Sequence, residues 1–192
     1  AFDLTQVVRD RLTLVLERIK GVPLSRWLVA NPDPKANELR RYAEDLLGAL
    51  HHLEEVGCTH KDIKPDNLMV GAEGMHLIDF SLAESDPDMT LVGTALYRDP
   101  TMQQWDHAAD RYAAALCLYE LFAGRHPFGG EPPAPGDQPD IDEEDFETPG
   151  LADFFRRALD GNPARRHQSA AAMRAALLES MGRGKKSKAL ET

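Results

Sequence analysis

The most constraining feature of this sequence is residues 108–123, which are apolar on nearly every side of a helix. A surface helix needs a polar face, and this segment has almost none, so it is predicted to lie buried at the centre of a domain. The chain has 192 residues, and 42% of them are hydrophobic. That is enough apolar material to surround one such helix, and the sequence therefore predicts a single domain.

Other helices are predicted on both sides of this segment. Apolar residues recur at spacings of three and four over residues 36–56, as on one face of a long amphipathic helix, and Gly57 ends the pattern. Residues 24–29 form a shorter helical pattern, and two more helices are predicted at about 151–159 and 168–180. The chain is therefore expected to be mainly helical.

Two β-hairpins are also predicted. The β-rich residues 4–8 and 12–19 flank a polar turn, and the apolar residues 68–70 and 76–78 flank a turn that contains glycine. The predicted fold class is therefore α+β, mainly α-helical.

Two segments have a composition that argues against regular structure. Residues 129–150 hold five prolines, and seven acidic residues lie between Asp137 and Glu147. This composition predicts an extended, solvated insertion, with a docking role for basic substrate peptides as the alternative. Residues 182–188 are glycine-rich and basic, and are predicted to form an unstructured tether to a following domain rather than a nucleic-acid-binding arm.

The charge balance disfavours several classes of partner. The chain has 32 acidic and 22 basic side chains, and its formal net charge of -10 repels phosphate backbones and anionic lipids. Cys58 and Cys117 lie in apolar stretches and are interpreted as core residues of a protein in a reducing compartment. No apolar run is long enough to cross a bilayer. We therefore expect a soluble, cytoplasmic protein without a nucleic-acid or membrane partner.

The residues that carry chemistry lie in the segment 60–67 and just after the second predicted hairpin. Asp62 is placed to orient and deprotonate a hydroxyl group, and Lys64 can neutralise a phosphoryl group in transfer. Asn67 and Asp79 offer the oxygen ligands that Mg²⁺ prefers. This set suits phosphoryl transfer, in which positioning and charge stabilisation supply most of the catalysis.

The alternative interpretation is that these side chains only build turns, because Asp and Asn are common beside Pro and Gly. However, the eight positions 60–67 belong to one loop and match a catalytic pattern in order. Asp79 begins a second motif twelve residues after Asn67. The spacing favours the catalytic interpretation.

The two motifs resemble those of eukaryotic-type protein kinases. His60-Lys61-Asp62 is similar to the family's His-Arg-Asp catalytic loop, and Asp79-Phe80-Ser81 is similar to its Asp-Phe-Gly metal-binding motif. Residues 93–100 resemble the segment that receives the substrate peptide. The resemblance covers about residues 4–180, nearly the whole chain.

The resemblance implies a kinase-like C-terminal lobe with a residual hairpin and hinge from the smaller N-terminal lobe. Residues 1–19 would be the residual strands, residues 20–180 the C-terminal lobe, and residues 181–192 a basic, flexible tail or linker. The other domains would belong to a longer polypeptide.

The resemblance also implies roles for individual residues. Asp62, Lys64, Asn67, Asp79 and Thr94 take the catalytic positions. Of these, Asp62 is the base, Lys64 binds phosphate, and Asn67 and Asp79 are the metal ligands.

An adenine site is implied at the hinge. Leu16 takes the gatekeeper position, and Glu17 and Ile19 are the backbone partners of adenine. Met69 and Ile78 are the further cofactor contacts that the resemblance implies. The implied cofactors are therefore ATP and Mg²⁺.

Three further positions have structural roles in the family. His60 would pack against Phe80 rather than act on substrate. Asp110 resembles the residue of the central helix that anchors the backbone of the catalytic loop, and Arg166 resembles the arginine that braces the activation segment.

The sequence departs from the family pattern at several points. It holds no counterpart of the glycine-rich loop or of the Lys-Glu ion pair of the small lobe, so the chain alone is expected to bind ATP weakly and turn over little. Lys61 replaces an arginine that grips a phosphorylated loop, which makes activation by loop phosphorylation less expected. Thr101 stands where the family has the glutamate that pairs with Arg166, so that brace is lost or made by another carboxylate.

The presence of Lys64 together with Thr94 resembles serine/threonine kinases. The expected function is therefore phosphoryl transfer from Mg-ATP to serine and threonine hydroxyls of protein substrates. A pseudokinase scaffold without transfer activity is the main alternative. A small-molecule phosphotransferase is a third, although the sequence offers little from which to build a substrate cavity.

Overall fold

The computed structural model describes residues 5–8, 11–14, 17–85 and 93–182. These residues form five α-helices and five β-strands. The helices are α1 (Leu24–Ala30), α2 (Ala36–Glu55), α3 (His107–Ala123), α4 (Gly150–Ala158) and α5 (Ala170–Gly182). The strands are β1 (Thr5–Val8), β2 (Arg11–Leu14), β3 (Val22–Pro23), β4 (Leu68–Gly71) and β5 (Gly74–Leu77).

Helix α3 lies at the centre of the core, as its sequence predicts. The side chain of Asp106 accepts a hydrogen bond from the Ala109 N–H at 2.9 Å and caps the start of the helix. Gly124 ends it in a left-handed conformation with φ 69°. Every residue from 112 to 119 is buried. This confirms the prediction of a helix with no solvent-facing side over its middle turns.

Helix α2 covers α3 and contacts α5 and β5 as well. Its buried side chains are those that recur at three- and four-residue spacing: Tyr42, Ala43, Leu46, Leu47, Leu50 and Leu53. At its C-terminal end, Glu54 forms an ion pair with Arg111 of α3 and accepts the Ala170 N–H at 2.9 Å at the start of α5. A single carboxylate therefore links three helices.

The strands form two separate antiparallel sheets. One contains β1 and β2, and the other has the order β3-β4-β5, with Val22 opposite Val70 and Gly71 opposite Gly74. The prediction of a strand over residues 12–19 is wrong for residues 17–19. The chain after them turns toward β4 so closely that a Cβ atom on Gly21 would overlap the carbonyl oxygen of Val70.

The proline-rich and acidic insertion, residues 129–150, is only partly solvated, which corrects the sequence interpretation. It contains a single 3₁₀ turn, Glu143–Asp145, and Phe146 beside this turn is buried. Arg125 pairs with Asp140 at 3.0 Å and with Asp145 at 2.6 Å. These ion pairs attach the insertion to the residues just after α3. They offset part of the conformational entropy that is lost when the insertion becomes ordered.

Among the described residues, no helix has the length and apolar character needed to cross a membrane. Cys117 is buried, Cys58 is half-buried, and both are free thiols. The predicted basic segment from residue 183 onward lies outside the described residues. The fold that is described is α+β and mainly helical, with a reduced β-structure at its N-terminal end, as predicted.

A buried ion pair joins the segment before α3 to the turn before α5. Arg166 makes a two-pronged contact with Asp99, and its Nη2 lies 3.2 Å from Asp99 Oδ1. The guanidinium also lies 4.5 Å from the centre of the Tyr112 ring. Thr101 donates its hydroxyl to Asp99 at 2.7 Å. The sequence left open whether the Arg166 brace is lost or is made by another carboxylate. The structure shows that another carboxylate, that of Asp99, makes it.

This pair generates a prediction about stability. Asp99→Ala leaves the Arg166 guanidinium buried and unpaired, and we expect it to lower the free energy of unfolding by about 3–5 kcal/mol. Asp140→Ala removes an exposed partner of Arg125 and is the matched control, with an expected loss of about 0–1 kcal/mol. Urea denaturation followed by circular dichroism measures both. Equal losses in the two variants would contradict the account.

Candidate active site

The loop that carries the candidate catalytic residues is fixed to the core by Asp110 of α3. The Asp110 carboxylate accepts the backbone N–H of His60 at 2.7 Å and that of Lys61 at 3.0 Å. Lys61 has φ 69°, a left-handed backbone conformation that residues other than glycine rarely adopt. The anchoring role that the resemblance implies for Asp110 is thus present, since its two oxygens hold an unusual turn of the loop.

His60 joins this loop to the second motif. Its side chain is fully buried, its ring centre lies 4.7 Å from that of Phe80, and its Nε2 lies 3.0 Å from the Ile78 carbonyl oxygen. Because the Asp62 N–H points at Nδ1, at 3.3 Å, the proton belongs on Nε2. Burial lowers the pKa of His60 despite the opposing effects of the Ile78 carbonyl and of the Asp62 and Asp79 carboxylates. The predicted packing against Phe80 is confirmed.

Asp62 is the centre of a hydrogen-bonded cluster. Its Oδ2 lies 2.7 Å from Lys64 Nζ and accepts Asn67 Nδ2 at 3.1 Å. Its Oδ1 accepts both the backbone N–H of Thr94, at 3.0 Å, and the Thr94 hydroxyl, at 2.9 Å. The structure therefore brings four of the five residues predicted to be catalytic into direct contact.

The fifth, Asp79, is connected to the cluster through its chain neighbour Ile78. The Ile78 N–H donates to the Asn67 carbonyl oxygen at 2.9 Å, which extends the pairing of β4 with β5 by one residue and places Asp79 directly after the partner of Asn67. Asp79 has φ 66°, and its exposed carboxylate accepts the Ser81 N–H at 3.2 Å. Both turns that bracket the site, at Lys61 and at Asp79, thus use the left-handed region.

The charge state of Asp62 follows from its neighbours. Burial raises the pKa of this carboxyl, but hydrogen bonds from Lys64 and Thr94, the Lys64 charge and a bond from Asn67 outweigh it, so the pKa lies below its ordinary value. The Asp62 carboxylate is therefore ionised at neutral pH and can accept a proton.

The donor set fits a magnesium ion. Both hydrogen bonds from Asn67 Nδ2 go to Asp62, one to its carbonyl oxygen at 2.8 Å, so the amide oxygen of Asn67 is the atom left for a cation. Asp79 supplies an exposed carboxylate. The described residues contain no group of three His, Cys, Asp or Glu side chains that could hold a metal unaided. Two oxygen ligands completed by phosphate oxygens and water are typical of magnesium.

The predicted adenine contacts are less closely grouped. Leu16 lies outside the described residues, and Glu17 is exposed. Ile19 is half-buried, Met69 lies opposite Pro23 and His76 in the second sheet, and Ile78 follows β5. Their contact with a nucleotide stays a prediction.

The sequence analysis missed two contacts. Lys61, expected only to lack the two-pronged grip of arginine, is buried and donates through Nζ to the Ser85 carbonyl oxygen, so it holds the backbone that follows Asp79. Lys64 Nζ also donates to the Thr94 hydroxyl at 2.9 Å. Neither contact has a signal in sequence spacing, because each joins segments 24 to 30 residues apart.

Comparison with known proteins agrees with this geometry. The family model for the protein kinase domain matches residues 3–178. The chain belongs to the protein kinase family. Its membership accounts for the order of the two motifs and for the anchoring of the first motif by α3.

Several curated relatives are serine/threonine kinases by name. The chain is 32% identical, over 98% of its length, to a protein of Corynebacterium efficiens named "probable serine/threonine-protein kinase", of which the match covers 32%. It is 27% identical, over 86% of its length, to the serine/threonine-protein kinase PknB of Mycobacterium leprae, of which 30% is covered. An Arabidopsis thaliana serine/threonine-protein kinase is 34% identical over 62% of this chain and 28% of its own. The chain thus spans about a third of the length of these relatives.

The burial of Asp110 generates a prediction about pH. Burial raises its pKa from 3.8 to about 6, against the lowering effect of its two backbone hydrogen bonds. The folded state therefore binds the proton more tightly than the unfolded state, so the Asp110 contribution to stability is fully present below pH 3.8 and is lost as the pH rises through about 6.

Asp110→Asn removes this titration. We expect the free energy of unfolding of the unaltered chain, minus that of the variant, to fall as the pH rises across that window. Urea denaturation at a series of pH values measures the difference. The control, Asp153→Asn, lies at an exposed position of α4 and should leave the pH dependence of the free energy of unfolding unchanged. A difference for Asp110→Asn that does not vary with pH would contradict the attribution of this pH dependence to Asp110.

Proposed function

We propose that this chain is the catalytic lobe of a serine/threonine protein kinase, which transfers the γ-phosphoryl group of Mg-ATP to hydroxyl groups of proteins. The observation that carries the proposal is the position of the Thr94 hydroxyl. It lies 2.9 Å from both Asp62 Oδ1 and Lys64 Nζ, between the proposed base and the proposed phosphate-binding cation. The site is therefore built to hold a hydroxyl donor at the base.

The proposed step follows from these groups. A substrate hydroxyl donates its hydrogen bond to Asp62, whose carboxylate takes the proton as the hydroxyl oxygen bonds to the γ-phosphorus. The bond from that phosphorus to the oxygen bridging the β- and γ-phosphates breaks, and ADP leaves with the electron pair. Lys64 neutralises charge on the phosphoryl oxygens. Asn67 and Asp79 would hold a magnesium ion, which would neutralise negative charge on the phosphates when bound.

The structure also supports a role for Lys64 in setting the charge of Asp62. Its ammonium lies 2.7 Å from Asp62 Oδ2, which keeps the carboxylate ionised until the substrate arrives. Because the contact with Asp62 holds the Lys64 ammonium group in place, the same cation can also bind the oxygens of the phosphoryl group in transfer. The Thr94 hydroxyl contacts both members of this pair, so Thr94 limits where the substrate hydroxyl can enter.

We further propose that residues outside this chain complete the nucleotide site. Residues 1–19 would be residual strands of the small lobe, residues 20–180 the C-terminal lobe, and residues 181–192 a linker to another part of a longer polypeptide. Adenine would contact Leu16, Glu17, Ile19, Met69 and Ile78. The glycine-rich loop and the Lys-Glu pair would come from sequence that flanks these residues.

The proposal is tested on the protein encoded with its flanking sequence, using radiolabelled ATP and a mixed serine- and threonine-containing protein substrate. Asp62→Asn removes the proton acceptor and should lower the transfer rate by about 100-fold to 10,000-fold. It should leave Mg-ATP affinity, measured by calorimetry, nearly unchanged, because Asp62 contacts the transferring group only in the reaction.

Glu73→Gln, at an exposed position of the turn between β4 and β5, is the control and should retain full activity. Undiminished transfer by Asp62→Asn would remove Asp62 as the base. The absence of metal-dependent nucleotide binding in the unaltered protein would favour a pseudokinase scaffold instead.

A further inference from the structure

A cavity of about 620 Å³ lies away from the catalytic cluster, where the ends of α1 and α3 meet the beginnings of α2 and α4. Its apolar wall includes Leu28, Leu39, Leu121, Phe146, Leu151 and Met181. A cavity of this volume accommodates several side chains of a ligand. None of the residues described as catalytic lines it, so the kinase reaction does not account for it.

The polar part of this cavity is negative. Asp33, Asp145 and Glu147 line it, and none of the described residues that line it is lysine, arginine or histidine. Asp145 is neutralised by Arg125 at 2.6 Å. Within the described ranges no ion pair involves Asp33 or Glu147. The cavity therefore pairs an apolar wall with two carboxylates that have no cationic partner in the described part of the chain.

The acidic insertion connects this cavity to the segment that the kinase resemblance assigns to the substrate peptide. At its start, Pro132 and Pro133 form a second cavity, of about 270 Å³, together with Ala95 and Arg98 of that segment. At its end, residues 145–148 line the large cavity. A polypeptide bound at the segment could thus follow the insertion to the large cavity.

The insertion is negative along this path. Its exposed acidic side chains are Glu131, Asp137, Asp140, Asp142, Glu143, Glu144 and Glu147. Two of them have cationic partners among the described residues, Asp140 with Arg125 and Glu143 with Arg156 at 3.3 Å. The path therefore keeps an excess of negative charge and would attract a basic chain.

We propose that this cavity, with the acidic insertion, docks a basic segment of a protein substrate that inserts a leucine-like side chain between α1, α3 and α4. The inference rests on the proposed function, because it assigns a second contact for the same protein substrate. The apolar wall takes the anchor side chain, and Asp33 and Glu147 bind lysine or arginine beside it. The long stems of those basic side chains cover the apolar rim.

The test uses the full chain and a fluorescein-labelled dodecapeptide that contains two leucines flanked by four lysines, with binding followed by fluorescence anisotropy. We expect saturable binding that weakens as salt rises from about 0.05 M to about 0.5 M. A peptide with both leucines replaced by serine keeps its charge and should bind at least about tenfold more weakly, because the anchor is lost.

Matched charge variants locate the site. Glu147→Lys reverses a charge at the cavity and should weaken binding about fivefold to tenfold. Glu73→Lys makes the same change in net charge at the exposed turn between β4 and β5 and should have little effect. Equal effects of the two variants, or equal binding of the leucine and serine peptides, would show attraction by overall charge and overturn the proposal.

A rival occupant is the basic segment of this chain itself, which carries Arg183, Lys185, Lys186 and Lys188. If the peptide binds a chain ending at Gly182 but not the full chain, that segment occupies the cavity and the assignment to a substrate is wrong. Asp62→Asn should bind the peptide normally. Loss of transfer by Asp62→Asn with intact peptide binding therefore tests only the proposed function. Failure of the unaltered protein to bind the peptide, while it retains phosphoryl transfer, would contradict only this inference.

Discussion

The geometry of the candidate site depends on one buried carboxylate, that of Asp110, which accepts hydrogen bonds from the N–H groups of His60 and Lys61. Hydrogen bonds within a protein stabilise by about 0.5–1.5 kcal/mol each, so the two together offset the about 1–2 kcal/mol that the left-handed conformation of Lys61 costs. Because Asp110 belongs to the central helix α3, the position of the loop is fixed by the buried centre of the core. Without this contact, the energetic cost of the left-handed conformation at Lys61 would lose the hydrogen bonds that offset it.

Two residues of the anchored loop, His60 and Asp62, make contacts that position other segments. His60 reaches the Ile78 carbonyl and the Phe80 ring, so the motif that begins at Asp79 is placed relative to the loop. Asp62 reaches Lys64 and Asn67 of its own loop and Thr94 of the segment 93–100, so two separate parts of the chain meet at one carboxylate. The site is therefore pre-organised by polar contacts within the chain, which is what a reaction governed by positioning and charge requires.

The sequence predicted the parts of this arrangement that depend on local pattern. The apolar run of α3 and the three- and four-residue spacing in α2 follow from helical periodicity, and the loop residues follow from a fixed order of polar types. The pairing of Asp99 with Arg166 could only be left open, since it joins residues far apart in the chain. The strand predicted over residues 17–19 does not form, and local pattern carries no signal for the close approach of the chain to β4 at Gly21 just after them. The insertion at 129–150 is less solvated than its composition predicts, because Asp140 and Asp145 pair with Arg125 beyond the end of α3.

The central claim is that Asp62, Lys64, Asn67 and Asp79 face one metal-bound triphosphate. It is tested most directly by a crystal structure of the protein, encoded with its flanking sequence, bound to Mg²⁺ and a non-hydrolysable ATP analogue. The account predicts a magnesium ion at about 2.0–2.1 Å from oxygens of Asn67 and Asp79, with Asp62 and Lys64 on the side of the γ-phosphate. A nucleotide bound elsewhere, or a metal without those two ligands, would contradict it.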